Sequence, residues 1–373
     1  MTILKASATL LTLLTAVSAQ PYTLHTDLSA DNFFPNFDLY SGPDPTKGFV
    51  RYQDASSAIN ENLIAHLNGS VYLGVDFTTR NPSGRASVRM ESKPVFNHGL
   101  LIADIKHMPA NECGTWPAFW MLGKETWPKG GEIDILEGVN DQEHNAVTLH
   151  TDNGCVVDNS TFGAQFGGET VSQAPFTGLM ETDNCDVKAD KNKGCSIKAP
   201  EMITLPTVPG GGMGDTEGNG QLLKLPSYGT PFNNNNGGVY AMEWTPEGIS
   251  TWFFARNAPG FPTEEQLTMS PDPLTWGAPI AKFAGRGCDF EEKFKDLRII
   301  FNTAFCGEWA GNEDVWGASC KAKTGVDTCE EYVRENPEVF AEAYWEIAGL
   351  RWFEKEAVEK REVMSRSHAR HFG

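Results

Sequence analysis

Side chains that switch between apolar and polar at every second position recur at residues 71–77, 99–108, 145–151, 239–244, 249–254 and 297–305. A two-residue period places successive side chains on opposite faces of an extended chain, so each stretch reads as a strand with one face available for a core. Between the fourth and fifth stretches, Thr245-Pro246-Glu247-Gly248 supplies a Pro and a Gly where a hairpin needs turn residues. Helical signal is confined to residues 328–343, where Pro337 can open a second turn. Many short strands with Gly-rich connections predict an all-β chain, a sandwich or a barrel.

The connections are legible too. Residues 210–220, Gly-Gly-Gly-Met-Gly-Asp-Thr-Glu-Gly-Asn-Gly, cannot bury enough apolar surface to order themselves, and residues 197–227 are expected to form a long surface loop. Asn233 to Gly238 reads as a connection into the next strand, because Asn and Gly tolerate left-handed backbone. Residues 1–19 hold one Lys, a short apolar run and a final Val17-Ser18-Ala19, the pattern of a signal peptide, which puts the mature chain outside the cell. No later run reaches the roughly 20 apolar residues of a membrane helix. Residues 20–355 are expected to be one β-sandwich domain, since all-β sandwiches run long. Residues 356–373 form a charged tail without a hydrophobic end, which argues against a glycolipid anchor.

A formal charge of -19 spread along the chain argues against nucleic acid and anionic membranes as partners, whereas a neutral polymer is indifferent to it. Eight cysteines follow the leader: Cys113, Cys155, Cys185, Cys195, Cys288, Cys306, Cys320 and Cys329. An even number in a secreted chain points to disulfides, but eight allow 105 pairings and the spacing chooses none. A metal reading is weak, because no CxxC pair occurs and no histidines cluster near them. Asn68-Gly69-Ser70 and Asn159-Ser160-Thr161 are glycosylation sequons, whereas the proline in Asn81-Pro82-Ser83 excludes a third.

The most informative segment is Gly130-Gly131-Glu132-Ile133-Asp134-Ile135-Leu136-Glu137-Gly138. Among 49 acidic residues in 373, chance supplies this acid spacing about one time in ten, so context must carry the weight. Glu132 and Asp134 alternate with Ile133 and Ile135, which puts the acids on one strand face and the isoleucines on the other. In a regular strand Glu137 would then be driven into the core, a costly place for an unpaired carboxylate. One inserted residue near Leu136, a β-bulge, returns Glu137 to the acid face and Leu136 to the core. The two glutamates would then stand about four strand steps apart, roughly 13 Å between Cα atoms, a gap that two inward-leaning side chains largely close. Retaining glycosidases need carboxyls roughly 5–5.5 Å apart. Three crowded carboxylates also cannot all ionise cheaply, so one is held protonated, as a general acid requires. On the strand alone, a solvated acidic face and a Ca²⁺ site stay open beside a catalytic one.

Aromatic residues surround this segment. Trp116-Pro117-Ala118-Phe119-Trp120 and Trp127 precede it, and Trp309 lies in Cys306-Gly307-Glu308-Trp309. Indoles stack on the C–H faces of sugar rings, though sandwich cores also consume Trp. Trp116 and Trp120, four apart on a strand-like run, face the same way. His150 sits on the strand expected to pair with the acids, where it is either a site contact or a structural residue.

Taken together these residues resemble glycoside hydrolase family 16, in particular its secreted fungal laminarinase-like endo-1,3(4)-β-glucanases. The similarity runs from Asn32-Phe33-Phe34 and Asp44-Pro45-Thr46-Lys47-Gly48 through the tryptophan run and the acids to Gly237-Gly238-Val239-Tyr240-Ala241-Met242-Glu243-Trp244-Thr245 and Tyr344-Trp345. The resemblance implies a β-jelly-roll sandwich with a concave cleft. It implies Glu132 as nucleophile, Glu137 as acid/base and Asp134 as the acid that positions Glu132, with Trp120, Trp127, His150 and Trp309 lining sugar subsites. β-Glucan is the implied partner of a monomeric enzyme that needs no cofactor; some relatives bind a structural Ca²⁺ away from the cleft, which has no assigned place here. Residues 197–227 appear as a longer loop than in similar sequences, and the tail beyond Phe353 has no counterpart.

Other classes share parts of this pattern. A transglycosylase uses the same fold and acids but passes the glycosyl group to another sugar. A non-catalytic glucan-recognition protein keeps the sandwich and typically lacks the acids. A structural wall protein would favour repeats or an anchor.

Overall fold

The computed structural model describes residues 21–158, 165–166, 169–170, 176–204, 222–256, 258 and 261–355. The expected signal peptide at 1–19, the sequon at Asn159, the Gly-rich residues 210–220 and the tail at 356–373 lie outside them.

Two eight-stranded sheets pack face to face. The first, called the cleft sheet, runs in spatial order Leu179–Thr182, Cys195–Lys198, Ala146–His150, Glu132–Glu137, Thr115–Gly123, Leu297–Phe305, Arg89–Ser92, Phe37–Leu39. The second, the back sheet, runs Ala281–Ala284, Gly248–Ala255, Gly238–Thr245, Gly99–His107, Trp345–Lys355, Ser70–Leu73, Ile64–Leu67, with Tyr22–Asp27 also paired to Trp345–Lys355. All these pairings are antiparallel, the arrangement of a β-jelly-roll sandwich. The expected hairpin forms, with Thr245 opposite Gly248.

Alternation decides which side chains meet between the sheets. Phe119, Met121, Ile133, Ile135, Leu136 and Phe301 point inward from the cleft sheet, against Leu101, Ala103, Tyr240, Met242, Trp244 and Trp345 from the back sheet. All are buried, and Phe301 stacks on Phe119 at 4.3 Å while meeting Trp345 edge-on. Each buried Leu, Ile, Phe or Met among them contributes about 1.5–3 kcal/mol on leaving water.

Helices are more numerous than the sequence pattern suggests. The expected one forms as Cys329–Glu335, its N-cap Thr328 accepting from the Glu331 amide, and Pro337 opens a following 3₁₀ turn, Pro337–Glu342. Further helices occur at Ala55–Asn60, Gly229–Asn234, Glu264–Thr268, Phe290–Lys293, Gly307–Ala310, Glu313–Ala318 and Cys320–Thr324. Each is four to six residues long, too short for a 3.6-residue period to repeat in the sequence. Asn233 and Asn234 thus belong to a helix, and the left-handed connection is left to Asn236 and Gly237, at φ 58° and 77°.

The cysteines pair as Cys113–Cys320, Cys155–Cys288, Cys185–Cys195 and Cys306–Cys329. Cys113 precedes one central strand of the cleft sheet and Cys306 follows its neighbour. Their bonds tie the helical segment to one end of the cleft, over a second apolar cluster with Phe305, Trp316, Val333 and Phe340.

The segment 197–227 departs from its expected description at both ends. Ile197 is buried in Cys195–Lys198, which extends the cleft sheet beside Ala146–His150, and Met202–Thr204 pairs with Leu222–Lys224. Leu225 and Ser227 are buried as well. These short apolar runs escape notice because the Gly-rich residues between them dominate the composition. Among the described residues, no helix is long and apolar enough to cross a membrane.

Candidate active site

The outward face of the cleft sheet floors a cleft of about 1350 Å³. The acid strand, Glu132–Glu137, lies at its centre, between Thr115–Gly123 and Ala146–His150. It enters from Gly131 at φ 75°, where a Cβ would lie 2.6 Å from the Lys293 carbonyl oxygen, so only glycine fits the approach.

The bulge is present. Asp134 pairs with Trp120 and Leu136 with Phe119, so Ile135 is the extra residue; on the other side Asp134 pairs with Thr148 and Glu137 with Ala146. Ile135 and Leu136 both enter the core, while Glu132, Asp134 and Glu137 line the cleft. The insertion falls one residue earlier than a bulge centred on Leu136, with the same consequence for facing.

Each glutamate has its own indole. Trp127 Nε1 donates to Glu132 Oε2 at 2.6 Å, and Trp116 Nε1 donates to Glu137 Oε1 at 2.8 Å. Asp134, buried between them, shares a hydrogen bond with Glu132. Its Oδ2 has no hydrogen-bond partner and faces His150 Nε2 at 3.5 Å, longer than a good hydrogen bond. His150 stands directly opposite Glu132 in the ladder, and its Nδ1 meets Asn192 Oδ1 at 3.2 Å.

Electrostatics follow from this crowding. Loss of water around the cleft floor raises Glu132 to about 7, opposed by the Trp127 hydrogen bond and the Arg89 charge. Desolvation likewise raises Glu137 to about 7; the Glu132 charge adds to this, and the Trp116 hydrogen bond opposes it. Burial first, then the charges of Glu137 and Glu132, hold Asp134 protonated well above the usual carboxylate range. Burial pushes His150 down, so the ring is neutral where the acids titrate. The trio titrates as a unit, with protons that belong to the cluster rather than to one residue.

The aromatic candidates all reach the cleft. Trp120 donates Nε1 to Asn302 Oδ1 at 2.7 Å and carries the Arg89 guanidinium on its ring at 5.0 Å. Trp309 meets Trp116 edge-on at 5.5 Å, and Trp127 is exposed at the rim. Trp116, Arg89, Asn302 and Asn192 were not among the site residues expected from the sequence. Only Trp116 carried a signal, its four-residue offset from Trp120; the others come from strands and loops remote in the chain.

Among the described residues, two side-chain groupings could be taken for metal sites. Cys113, Asp141 and Cys320 are disqualified because both sulfurs form a disulfide. Glu132, Asp134 and His150 bring donor atoms within 4.8 Å of one another, but three donors including an imidazole do not make the six to eight oxygens of a Ca²⁺ cage. Neither fits the structural Ca²⁺ that the resemblance suggests.

This floor of acids and indoles belongs to a recognisable group. The sequence matches the family model of the XgeA-like, catalytic GH16 domain over residues 37–213 and 212–353. The chain belongs to glycoside hydrolase family 16. An endo-1,3(4)-β-glucanase of Arthroderma benhamiae is 41% identical over 350 residues, covering 93% of this chain and 68% of that protein. A probable glycosidase of Schizosaccharomyces pombe is 37% identical over 334 residues, covering 89% of this chain and 69% of that protein. Among solved structures, laminarinase 16A of Phanerochaete chrysosporium, with 6-O-glucosyl-laminaritriose in donor and acceptor sites, is 35% identical with a TM-score of 0.75. It covers 90% of this chain and 100% of its own. An elongating family 16 β-1,3-glucosyltransferase is 38% identical with a TM-score of 0.73, covering 89% of this chain and 100% of its own.

Proposed function

We propose that this glycoside hydrolase cuts internal β-1,3 linkages in glucans, mixed β-1,3/1,4 linkages included, with retention of anomeric configuration and as a secreted enzyme. The observation that carries the reading is the bulged strand that turns Glu132 and Glu137 to one cleft face, each held by its own indole, with a protonated Asp134 between them.

The chemistry divides between the two glutamates. Protonated Glu137 gives its proton to the glycosidic oxygen as the Glu132 carboxylate attacks the anomeric carbon, and the bond to the leaving sugar breaks. Glu137, now ionised, takes a proton from water, whose oxygen displaces Glu132 from the glycosyl-enzyme. Asp134 shares its proton with Glu132 and limits its charge while the nucleophile is waiting. Trp120, Trp127, His150 and Trp309 hold the sugar rings, and no cofactor has a step to perform. Reaction requires a single ionised glutamate, so a bell-shaped pH dependence follows with limbs on either side of about pH 7.

The structural similarity to an elongating glucosyltransferase favours one second reading, transfer to a glucan acceptor in place of water. One experiment addresses both. Purified protein is given laminarin, mixed-linkage glucan and a β-1,4 glucan, and products are sized and their anomers followed by NMR. Short β-anomeric oligosaccharides from the first two support hydrolysis; elongated products support transfer. Glu132→Gln is expected to lower the rate by about 10³-fold or more, and unchanged activity would sink the assignment.

A further inference from the structure

The bulge that aims Glu137 is closed by one side chain. Asn145 is fully buried, and its amide spans the extra residue: Oδ1 accepts from the Glu137 N–H at 2.9 Å, and Nδ2 donates to the Ile135 carbonyl at 2.7 Å. Because one partner is a pure donor and the other a pure acceptor, the amide can sit only one way round. Its own backbone is held too. The Asn145 N–H donates to Ser227 Oγ at 3.2 Å, its carbonyl accepts from Ala199 at 2.8 Å, and the Tyr240 hydroxyl anchors Ser227 at 2.6 Å.

A bulge interrupts the strand ladder and leaves backbone groups to be satisfied by other means. Here the ladder slips between Asp134 and Glu137 on the side of Ala146–His150, and Asn145 is the residue just before that strand. No hydrophobic side chain could bridge an N–H and a C=O at that point, and an aspartate would repel the carbonyl unless protonated.

We propose that Asn145 is a positioning residue for acid/base catalysis: by clamping both sides of the bulge it delivers the Glu137 carboxyl to the glycosidic oxygen. The proposal rests on the assignment of Glu137 given above. Loss of the clamp therefore removes proton transfer and spares the nucleophile. A leaving group that departs without protonation escapes the defect. Azide escapes it in the second step, since its nitrogen bonds to the anomeric carbon and displaces the Glu132 carboxylate with no proton to remove.

The test compares Asn145→Ala, the shape-conserving Asn145→Asp and the control Glu137→Ala, on laminarin and on 2,4-dinitrophenyl β-laminaribioside, with and without azide. Asn145→Ala is expected to lose about 10²-fold on laminarin but only severalfold on the dinitrophenyl glycoside, and to form β-glycosyl azide. Asn145→Asp is expected to show the same split with a smaller loss, and it serves as the test if the alanine variant does not fold. Equal losses on both substrates with no azide product would overturn the positioning role. If Glu137→Ala itself shows no azide product, the assignment of Glu137 fails instead.

Discussion

The two sheets obey the same alternation but treat their outward faces differently. The back sheet presents Tyr22, Leu100, Ile102, Val239, Ala241, Trp252 and Phe353 on its far side and covers them with Leu267, Phe261 and Trp276, a third apolar cluster. The cleft sheet presents Trp116, Trp120, Glu132, Asp134, Glu137 and His150 at the corresponding positions, with no cover. Part of the back sheet is therefore covered on its far face as well, and its strand Gly99–His107 is apolar and buried from Gly99 to Ala103. The cleft sheet keeps one face for a ligand and accepts carboxyls that are costly to ionise there. The lesson is that stability and chemistry occupy opposite faces of one sandwich, which makes them separable by substitution.

The largest expected effect is on stability and tests that separation directly. Trp252, buried and bonded to the Gly277 carbonyl at 3.0 Å, should lose about 3–5 kcal/mol as Trp252→Ala with kcat/KM unchanged. Trp120→Ala should do the reverse, lowering kcat/KM while losing less than half as much stability. Denaturant unfolding and steady-state kinetics on both variants decide the matter, and a common loss of both properties in each would abolish the distinction.

A smaller effect divides the cleft itself. Trp127→Phe removes the donor to Glu132, so Glu132, the proposed nucleophile, ionises at higher pH and the acid limb of the pH profile moves up. Trp116→Phe removes the donor to Glu137, so Glu137, the proposed acid/base, keeps its proton longer and the basic limb moves up. A hydrogen bond to a charged group is worth about 1.5–3 kcal/mol, which corresponds to shifts of about one to two pH units. Movement of the same limb in both variants would mean that the two glutamates do not hold separate roles.

The smallest effect concerns the cost of the cleft to the fold. Glu132 and Glu137 keep protons to about pH 7 in the folded chain, against 4.5 in an open one. Folding therefore takes up protons between these values, and stability falls as pH rises from about 4.5 to 7, with the full cost present above that. Glu137→Gln should thus be more stable than the parent at pH 8 and equal to it at pH 4. Thermal unfolding at the two pH values measures this, and a Gln variant less stable at pH 8 would contradict it.

Local pattern determined a good deal of this protein. The period-two facing of Glu132 and Asp134 against Ile133 and Ile135, the need for a bulge before Glu137, and the short helix within 328–343 were all written in neighbouring residues. So was the family, because the tryptophan run and the acids stand close together in the chain. These features are legible because facing and capping depend on neighbours within a few positions. The tertiary structure alone decided the disulfide partners, the Arg89 charge over Trp120, the Asn302 acceptor and the Asn192 contact to His150. It also decided which tryptophan holds which glutamate, and that Asn145 closes the bulge. Each of these depends on strand register or loop closure between segments far apart in sequence, and alternation shows a strand's facing without naming the neighbour it meets.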